Sequence, residues 1–162
     1  MLELYQYGNS VCAQKVRITL AEKNLDWHAH HVDLFKSEQY HPDYLKLNPK
    51  AQVPTLVHDG EVIRESSVIT DYLDDLYPEP PLKPSKLSKI AQMREWIKES
   101  DEAGFEGVAS LSFVTVFRAK LMAMSESDRA AYWAEQTVLE RTQRQQSCVF
   151  EGLSSPYALR AI

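Results

Sequence analysis

The chain has little cysteine. Its two cysteines, Cys12 and Cys148, are too few for the disulfide framework of a small secreted domain, so both read as free thiols. No basic cluster is interleaved with aromatics, and the net charge is −5, which argues against nucleic acid or an anionic membrane as the main partner. Long apolar runs are missing too. The longest, Val108 to Phe117, contains Ser and Thr and is far too short to span a bilayer. Met1-Leu2-Glu3 opens without the basic region and hydrophobic stretch of an export signal. Together these readings place the chain in the cytoplasm, with neither membrane nor nucleic acid as partner. Internal repeats and low-complexity tracts are absent.

Apolar residues make up 44% of the chain, enough for a core in one domain or in two small packed units. Leu2-Glu3-Leu4-Tyr5 alternates as a strand does, and Gly8-Asn9-Ser10 breaks it. A helix follows, with Ala13, Val16, Leu20 and Ala21 on one face and Asn24 suited to its end. Trp27 to Asp33 reads as a second strand, and a strand–helix–strand order implies a right-handed crossover and a parallel pair. Pro42 to Leu47 reads as a short helix closed by Asn48-Pro49. Thr55 to His58 and Glu61 to Arg64 flank Asp59-Gly60, the signature of a hairpin. Beyond it Ile69, Tyr72, Leu73 and Leu76 stand at i, i+3, i+4 and i+7, with Ser66 or Ser67 as the N-cap.

Pro78, Pro80, Pro81 and Pro84 then stiffen the segment 78–84 and deny it a helix. This divides the chain into residues 1–77, a linker 78–84, and an all-helical part 85–162. In that part Ser85 is placed as the cap of a helix carrying Ile90, Met93, Trp96 and Ile97. Gly104 and Gly107 are expected to interrupt or weaken it, and Ser125-Glu126-Ser127-Asp128 to start another helix. Ser155-Pro156 reads as a helix start, and a helix that begins so near Ile162 suggests a truncated helical domain.

Pro54 is the residue around which the first part is organised. It has no N–H to give a ladder, so it belongs at the mouth of the strand Thr55–His58. On spacing alone an ordinary trans bond is the simpler reading. A cis Val53–Pro54 bond would instead turn the Val53 backbone groups outward, where they can pair with an extended peptide as with another strand. Val53-Pro54, followed at the hairpin's end by Glu65-Ser66 at a helix start, resembles the glutathione transferase family. So do Leu4-Tyr5 through Arg17 and the segment Leu47-Asn48-Pro49. The resemblance covers residues 2 to about 77 well and the rest loosely. It implies a thioredoxin-like α/β domain with a mixed four-stranded sheet and a cis proline, followed by an all-helical domain that looks incomplete.

The resemblance also implies a site. Ser10 precedes the first helix by the spacing of serine-type members (zeta, theta, delta), whose catalytic serine lies six residues before the helix valine, here Val16. Without the family, Ser10 is simply an N-cap. With it, the hydroxyl donates to the glutathione thiolate. A free thiol has a pKa of ~8.5. Lowering it by about two units takes roughly 2.7 kcal/mol, which a charge-assisted hydrogen bond and the helix dipole can supply. Tyr5 and Tyr7 fit the tyrosine-type arrangement less well. Glu65 and Ser66 would hold the ammonium and carboxylate of the γ-glutamyl end, and Val53 with Pro54 the cysteinyl backbone. Gln52 and Lys36 would reach the glycyl carboxylate. Gln39 and Ala51 stand where some delta-type members have histidines.

Rival readings remain at several positions. Cys12, near the helix N-terminus, reads first as a small semi-buried residue, because omega-type members place their cysteine where Ser10 stands; a glutaredoxin-like redox role is the rival reading. His28 and His30 share a strand face while His31 points away, so three converging metal ligands are not evident, and no metal is expected. Asp101 is read as a solvated charge. The function expected is transfer of glutathione to a small, mostly apolar electrophile, resting near Phe105, Val108 and Phe117, by a homodimer. The chain also looks similar to bacterial members that remove halide or cleave aryl ethers. Two alternatives stand beside it: a non-catalytic binding module of the same fold, and a thiol oxidoreductase acting through Cys12.

Overall fold

Alternation at the N-terminus puts Leu2 and Leu4 on one face and Glu3 and Tyr5 on the other. In the computed structural model, which describes residues 1–162, that first face is the core face. The chain divides into two compact units, Met1–Met93 and Arg94–Ile162. The first is built from β1 (Leu2–Gln6), α1 (Val11–Glu22), β2 (His28–His31), α2 (Pro42–Leu47), β3 (Thr55–His58), β4 (Glu61–Arg64) and α3 (Ser66–Leu76). Its sheet has the order β2-β1-β3-β4, with β2 parallel to β1 and both β3 pairings antiparallel. This is the mixed, thioredoxin-like sheet expected. Leu2, Leu4 and Leu56 meet Val16 and Leu20 of α1 and Ile69 and Leu73 of α3 in one core cluster. Leu25, Trp27, Ile63, Tyr72 and Tyr77 pack around it.

Several local signals hold. Asp59 and Gly60 both take positive φ, as a two-residue primed hairpin turn requires. Asn24 is left-handed at the end of α1. Others are corrected. Ala21 is exposed, and Thr19 takes its place on the buried face because its hydroxyl is satisfied by the Lys15 carbonyl at 3.2 Å. The strand expected over Trp27–Asp33 is ladder only at His28–His31, with Val32 N–H adding one bond to the Gln6 carbonyl. Neither Ser66 nor Ser67 caps α3. Glu65, at φ 66°, occupies the cap position, and no side chain bonds there. Leu76, last of the helical stripe, is exposed because α3 ends beside it.

The proline segment is fastened by a pair that its composition does not reveal. Lys23, fully buried, donates to Asp74 Oδ1 (2.6 Å) and to the carbonyls of Tyr77 (2.6 Å) and Pro80 (2.7 Å). All three ammonium protons are used. Asp74 in turn accepts from the Leu82 and Lys83 amides. Burial alone would push the Asp74 carboxyl up. The hydrogen bonds from Lys23 and the two amides, with the Lys23 charge, outweigh it and hold the carboxyl below the usual range.

The second unit is helical throughout. The division falls within α4 (Leu87–Glu99), after which come α5 (Phe105–Ser112), α6 (Arg118–Ala123), α7 (Glu126–Ala134), α8 (Leu139–Glu151) and α9 (Pro156–Leu159). Ser85 lies outside α4, whose first helical bond runs from Ile90 N–H to the Lys86 carbonyl. Gly104 and Gly107 do not interrupt the helical path. Single π-helical stretches, Ser100–Gly104 and Phe113–Phe117, join α4 to α5 and α5 to α6, and Gly104 keeps right-handed φ and ψ. Ser125 caps α7 by accepting from Asp128 N–H at 3.0 Å, and Ser155 caps α9 with Pro156 in the first turn.

Candidate functional site

Strand directions bring the candidate residues to one end of the sheet. Thr55 is the last residue of β3 in register on that side, opposite Tyr5 and Arg64. One step further along, Pro54 lies beside the exit of β1 on one flank and Glu65 on the other. The parallel β2 leaves at the same end, toward Lys36. So the turn carrying Ser10, the Val53–Pro54 corner, the Glu65–Ser66 helix start and the loop bearing Lys36 all open there.

Ser10 caps α1. Its Oγ accepts from Ala13 N–H at 3.2 Å, and its own N–H donates to the Tyr7 carbonyl at 3.0 Å. A hydroxyl has two acceptor lone pairs and one proton. Capping uses a lone pair and leaves the O–H as a donor, so the cap and the thiolate donor are compatible roles of one side chain. The turn before it is tied down by Arg17, which donates to Gln6 Oε1 (2.6 Å) and the Gly8 carbonyl (3.0 Å). Tyr5 stacks flat on His30, and Tyr7 stands beside His31 and Phe35. Burial, and then Glu3 for Tyr5 and Asp33 for Tyr7, raises both phenols above their ordinary value. Cys12 is half-buried in the first turn of α1.

The Val53–Pro54 bond is cis. Pro54 is buried and Val53 half-buried, one residue outside the ladder. A network unforeseen in the sequence holds this corner. Tyr44 O–H donates to the Gln52 carbonyl (2.5 Å) and meets Thr55 Oγ1 at 3.1 Å. Asn48 Nδ2 donates to the same carbonyl (2.9 Å) and to Thr55 Oγ1 (3.2 Å), while its Oδ1 accepts from Lys50 N–H. Burial pushes the Tyr44 phenol up to about 12, against a smaller lowering by Thr55, so it stays a donor at neutral pH. The only trace of this network in the sequence is the Leu47-Asn48-Pro49 segment, which reads as a helix stop.

At the third edge, Glu65 pairs with Lys50 at 2.6 Å, both groups more than half exposed. Ser66 is buried at the first position of α3. Lys15 reaches across from α1 to Ser67 Oγ at 2.6 Å. Lys36 is largely exposed, 4.0 Å from Asp33. Gln39 is buried, with an unpartnered Oε1. In the second unit, Phe105 and Val108 are exposed on α5, and Phe117 packs on Phe113 with ring centres 5.1 Å apart. No group of three or more His, Cys, Asp or Glu side chains is arranged to hold a metal ion. No helix is long and apolar enough to cross a membrane.

Known proteins share this arrangement. Residues 9–76 match the model of the glutathione S-transferase N-terminal domain. Protein LigF of Sphingobium sp. strain SYK-6 is 38% identical over 129 residues, which are 78% of this chain and 50% of LigF. Glutathione S-transferase Z1 of Arabidopsis thaliana is 49% identical over 90 residues, 56% of this chain and 41% of that protein. The chain thus spans half or less of the length of these curated relatives. The crystal structure of the beta-etherase LigF superposes with a TM-score of 0.85 at 31% identity, covering 99% of this chain and 67% of that one. A glutathione transferase homolog from Sulfitobacter, solved with bound glutathione, gives a TM-score of 0.63 at 27% identity over 98% of this chain and 74% of its own. With the sheet order, the proline corner and the matched residues agreeing, the chain belongs to the glutathione S-transferase family.

Proposed function

We propose that the chain binds glutathione across the open end of the first unit's sheet and that Ser10 stabilises its thiolate for attack on an electrophilic carbon. The observation that carries this reading is the geometry of Ser10: its Oγ accepts the Ala13 amide at the start of α1, which leaves the hydroxyl proton available to a sulfur anion. The sulfur lone pair forms a new C–S bond while the bond to the leaving group breaks. The departing halide or alkoxide takes that bond's electrons, and the alkoxide takes a proton from water. The bond to Ser10 favours the thiolate over the thiol, and the positive end of α1 adds to that preference. Val53 and Pro54 would align the cysteinyl backbone, Glu65 and Ser66 the γ-glutamyl end, and Gln52 and Lys36 the glycyl carboxylate. Glutathione is thus a co-substrate, and no metal takes part in the step.

The electrophile is a small, mostly apolar molecule, with conjugation, dehalogenation and ether cleavage as the candidate outcomes. The likeness to the beta-etherase LigF supports ether cleavage. A cytoplasmic homodimer is taken over from the family. The test is retention on immobilised glutathione, then steady-state rates on halogenated and aryl ether substrates for wild type, Ser10→Ala and Cys12→Ser. Loss of one charge-assisted hydrogen bond predicts a rate about 10 to 100 times lower for Ser10→Ala. Equal rates remove Ser10 from the mechanism. A glutathione mixed disulfide on Cys12, with activity lost only in Cys12→Ser, replaces transfer by thiol exchange. Retention without turnover of any electrophile leaves a binding module.

A further inference from the structure

Ser10 sits at the end of a turn with few anchors of its own. Gly8 and Asn9 are exposed, and no atom lies within 4 Å of where a Cβ on Gly8 would stand. The turn closes through the Ser10 N–H and the Tyr7 carbonyl at 3.0 Å. The cap bond from Ala13 N–H to Ser10 Oγ, at 3.2 Å, is at the long end of its range and by itself holds the hydroxyl weakly. The remaining tie comes from the helix that follows. Arg17 stands seven residues after Ser10, close to two helical turns, so the two share a face of α1. Long helical side chains lean back toward the N-terminus, which carries the Arg17 guanidinium to the turn. Its Nη2 donates to the Gly8 carbonyl at 3.0 Å and its Nη1 to Gln6 Oε1 at 2.6 Å. One planar group thus bridges the end of β1 and the middle of the turn. It pairs with no carboxylate of the chain, and no other side chain bonds to Gly8 or Asn9.

We infer that Arg17 is a positioning residue for Ser10: its two-pronged grip on Gln6 and Gly8 fixes the turn so that the serine hydroxyl meets the glutathione sulfur. This rests on the glutathione reading above and adds to it a residue that bonds to neither the serine nor the ligand. A guanidinium suits the task because its donors are held in a rigid fork, whereas a lysine ammonium is a point charge on a flexible stem. Periodicity does not reveal Arg17, because it lies off the buried face of α1 and reads as a surface charge.

The test reads the thiolate absorption of bound glutathione against pH. The spectrum is taken as the difference between the glutathione and S-methylglutathione complexes, so that Cys12, Cys148 and the tyrosines cancel. Affinity for S-methylglutathione, which has no thiol to ionise, reports whether the site as a whole is intact. In Arg17→Met the bound thiol should ionise at higher pH, its thiolate fraction at neutral pH falling about two- to tenfold, the effect of one hydrogen bond. S-methylglutathione should bind as in wild type. Gln6→Leu should shift ionisation in the same direction by less, because the Gly8 bond remains, and Arg17→Lys should recover only part. In a Ser10→Ala background Arg17→Met should add no further shift, because Arg17 acts through the serine. Arg17→Gln serves as the neutral variant if Arg17→Met melts early. Three results overturn the role of Arg17 alone: unchanged ionisation in the neutral variant, a full shift that persists in Ser10→Ala, or loss of S-methylglutathione binding by the folded neutral variant. Failure of wild type to bind glutathione, or unshifted ionisation in Ser10→Ala, overturns the glutathione reading and this inference with it.

Discussion

The two units of this chain use apolar residues differently. In the first, seven large aliphatic residues from strands and helices close on one another, and Leu4, Val16, Leu20, Leu56, Ile69 and Leu73 are fully buried. In the second, burial reaches Leu121, Cys148, Val149 and Ala158, along with the polar Ser110, Thr142 and Ser155. Trp96 on α4 is 71% exposed, and Val116, Leu139, Phe150, Leu153 and Leu159 are open too. An amphipathic face needs a partner to become a core. In the first unit the sheet is that partner for α1 and α3. In the second, several helices show apolar faces that nothing within the unit covers. The unit carrying the candidate site is thus also the one whose packing holds that site in place.

Core truncation should show this contrast most strongly. Ile69→Ala or Leu4→Ala is expected to cost about 2–5 kcal/mol of the first unit's stability, read by denaturant titration following Trp27. Leu121→Ala should act on the transition followed by Trp133 in the second unit. A single coincident transition for all probes in every variant would break the distinction between the units.

Asn48→Ala probes the corner network. Removing a buried amide that serves the Gln52 carbonyl and Thr55 Oγ1 should cost about 1–3 kcal/mol and weaken glutathione binding. Unchanged affinity in a folded variant would separate corner geometry from ligand binding.

The linker clasp gives a pH signature. The Asp74 carboxyl is held low in the folded chain, so its contribution is present above the unfolded value of about 3.9 and is lost as pH falls through the folded value. Wild type should therefore lose stability more steeply than Asp74→Asn as pH falls below about 4. Parallel acid curves would show that the pair does not bind protons differently on folding. Trp96→Gln should be the mildest change, within about 0.5 kcal/mol, because the ring is already in solvent. A larger loss would mean that the face is covered in solution.

Much of the first unit was legible because its signals are short-range. The period-two pattern of β1, the Asp59-Gly60 turn and the stripe on α3 each lie within a dozen residues. The corrections fall where a partner distant in sequence decides. Thr19 could replace Ala21 on the buried face only because a backbone carbonyl takes its hydroxyl. α3 goes without the serine cap that its sequence offers. The glycines at 104 and 107 looked like breaks, yet helical geometry carries through them with π-helical stretches on either side of α5.

Sequence alone determined which residues alternate, which turn and which cap, and so the kinds of element and the identity of the serine before α1. It did not determine which groups meet. Lys23 with Asp74, Tyr44 and Asn48 with the Gln52 carbonyl, and Lys15 with Ser67 became pairs only when the sheet and helices packed. The physical reason is that periodicity states which face a side chain is on. A hydrogen bond or ion pair needs a second group at about 3 Å, and only the folded chain sets that distance.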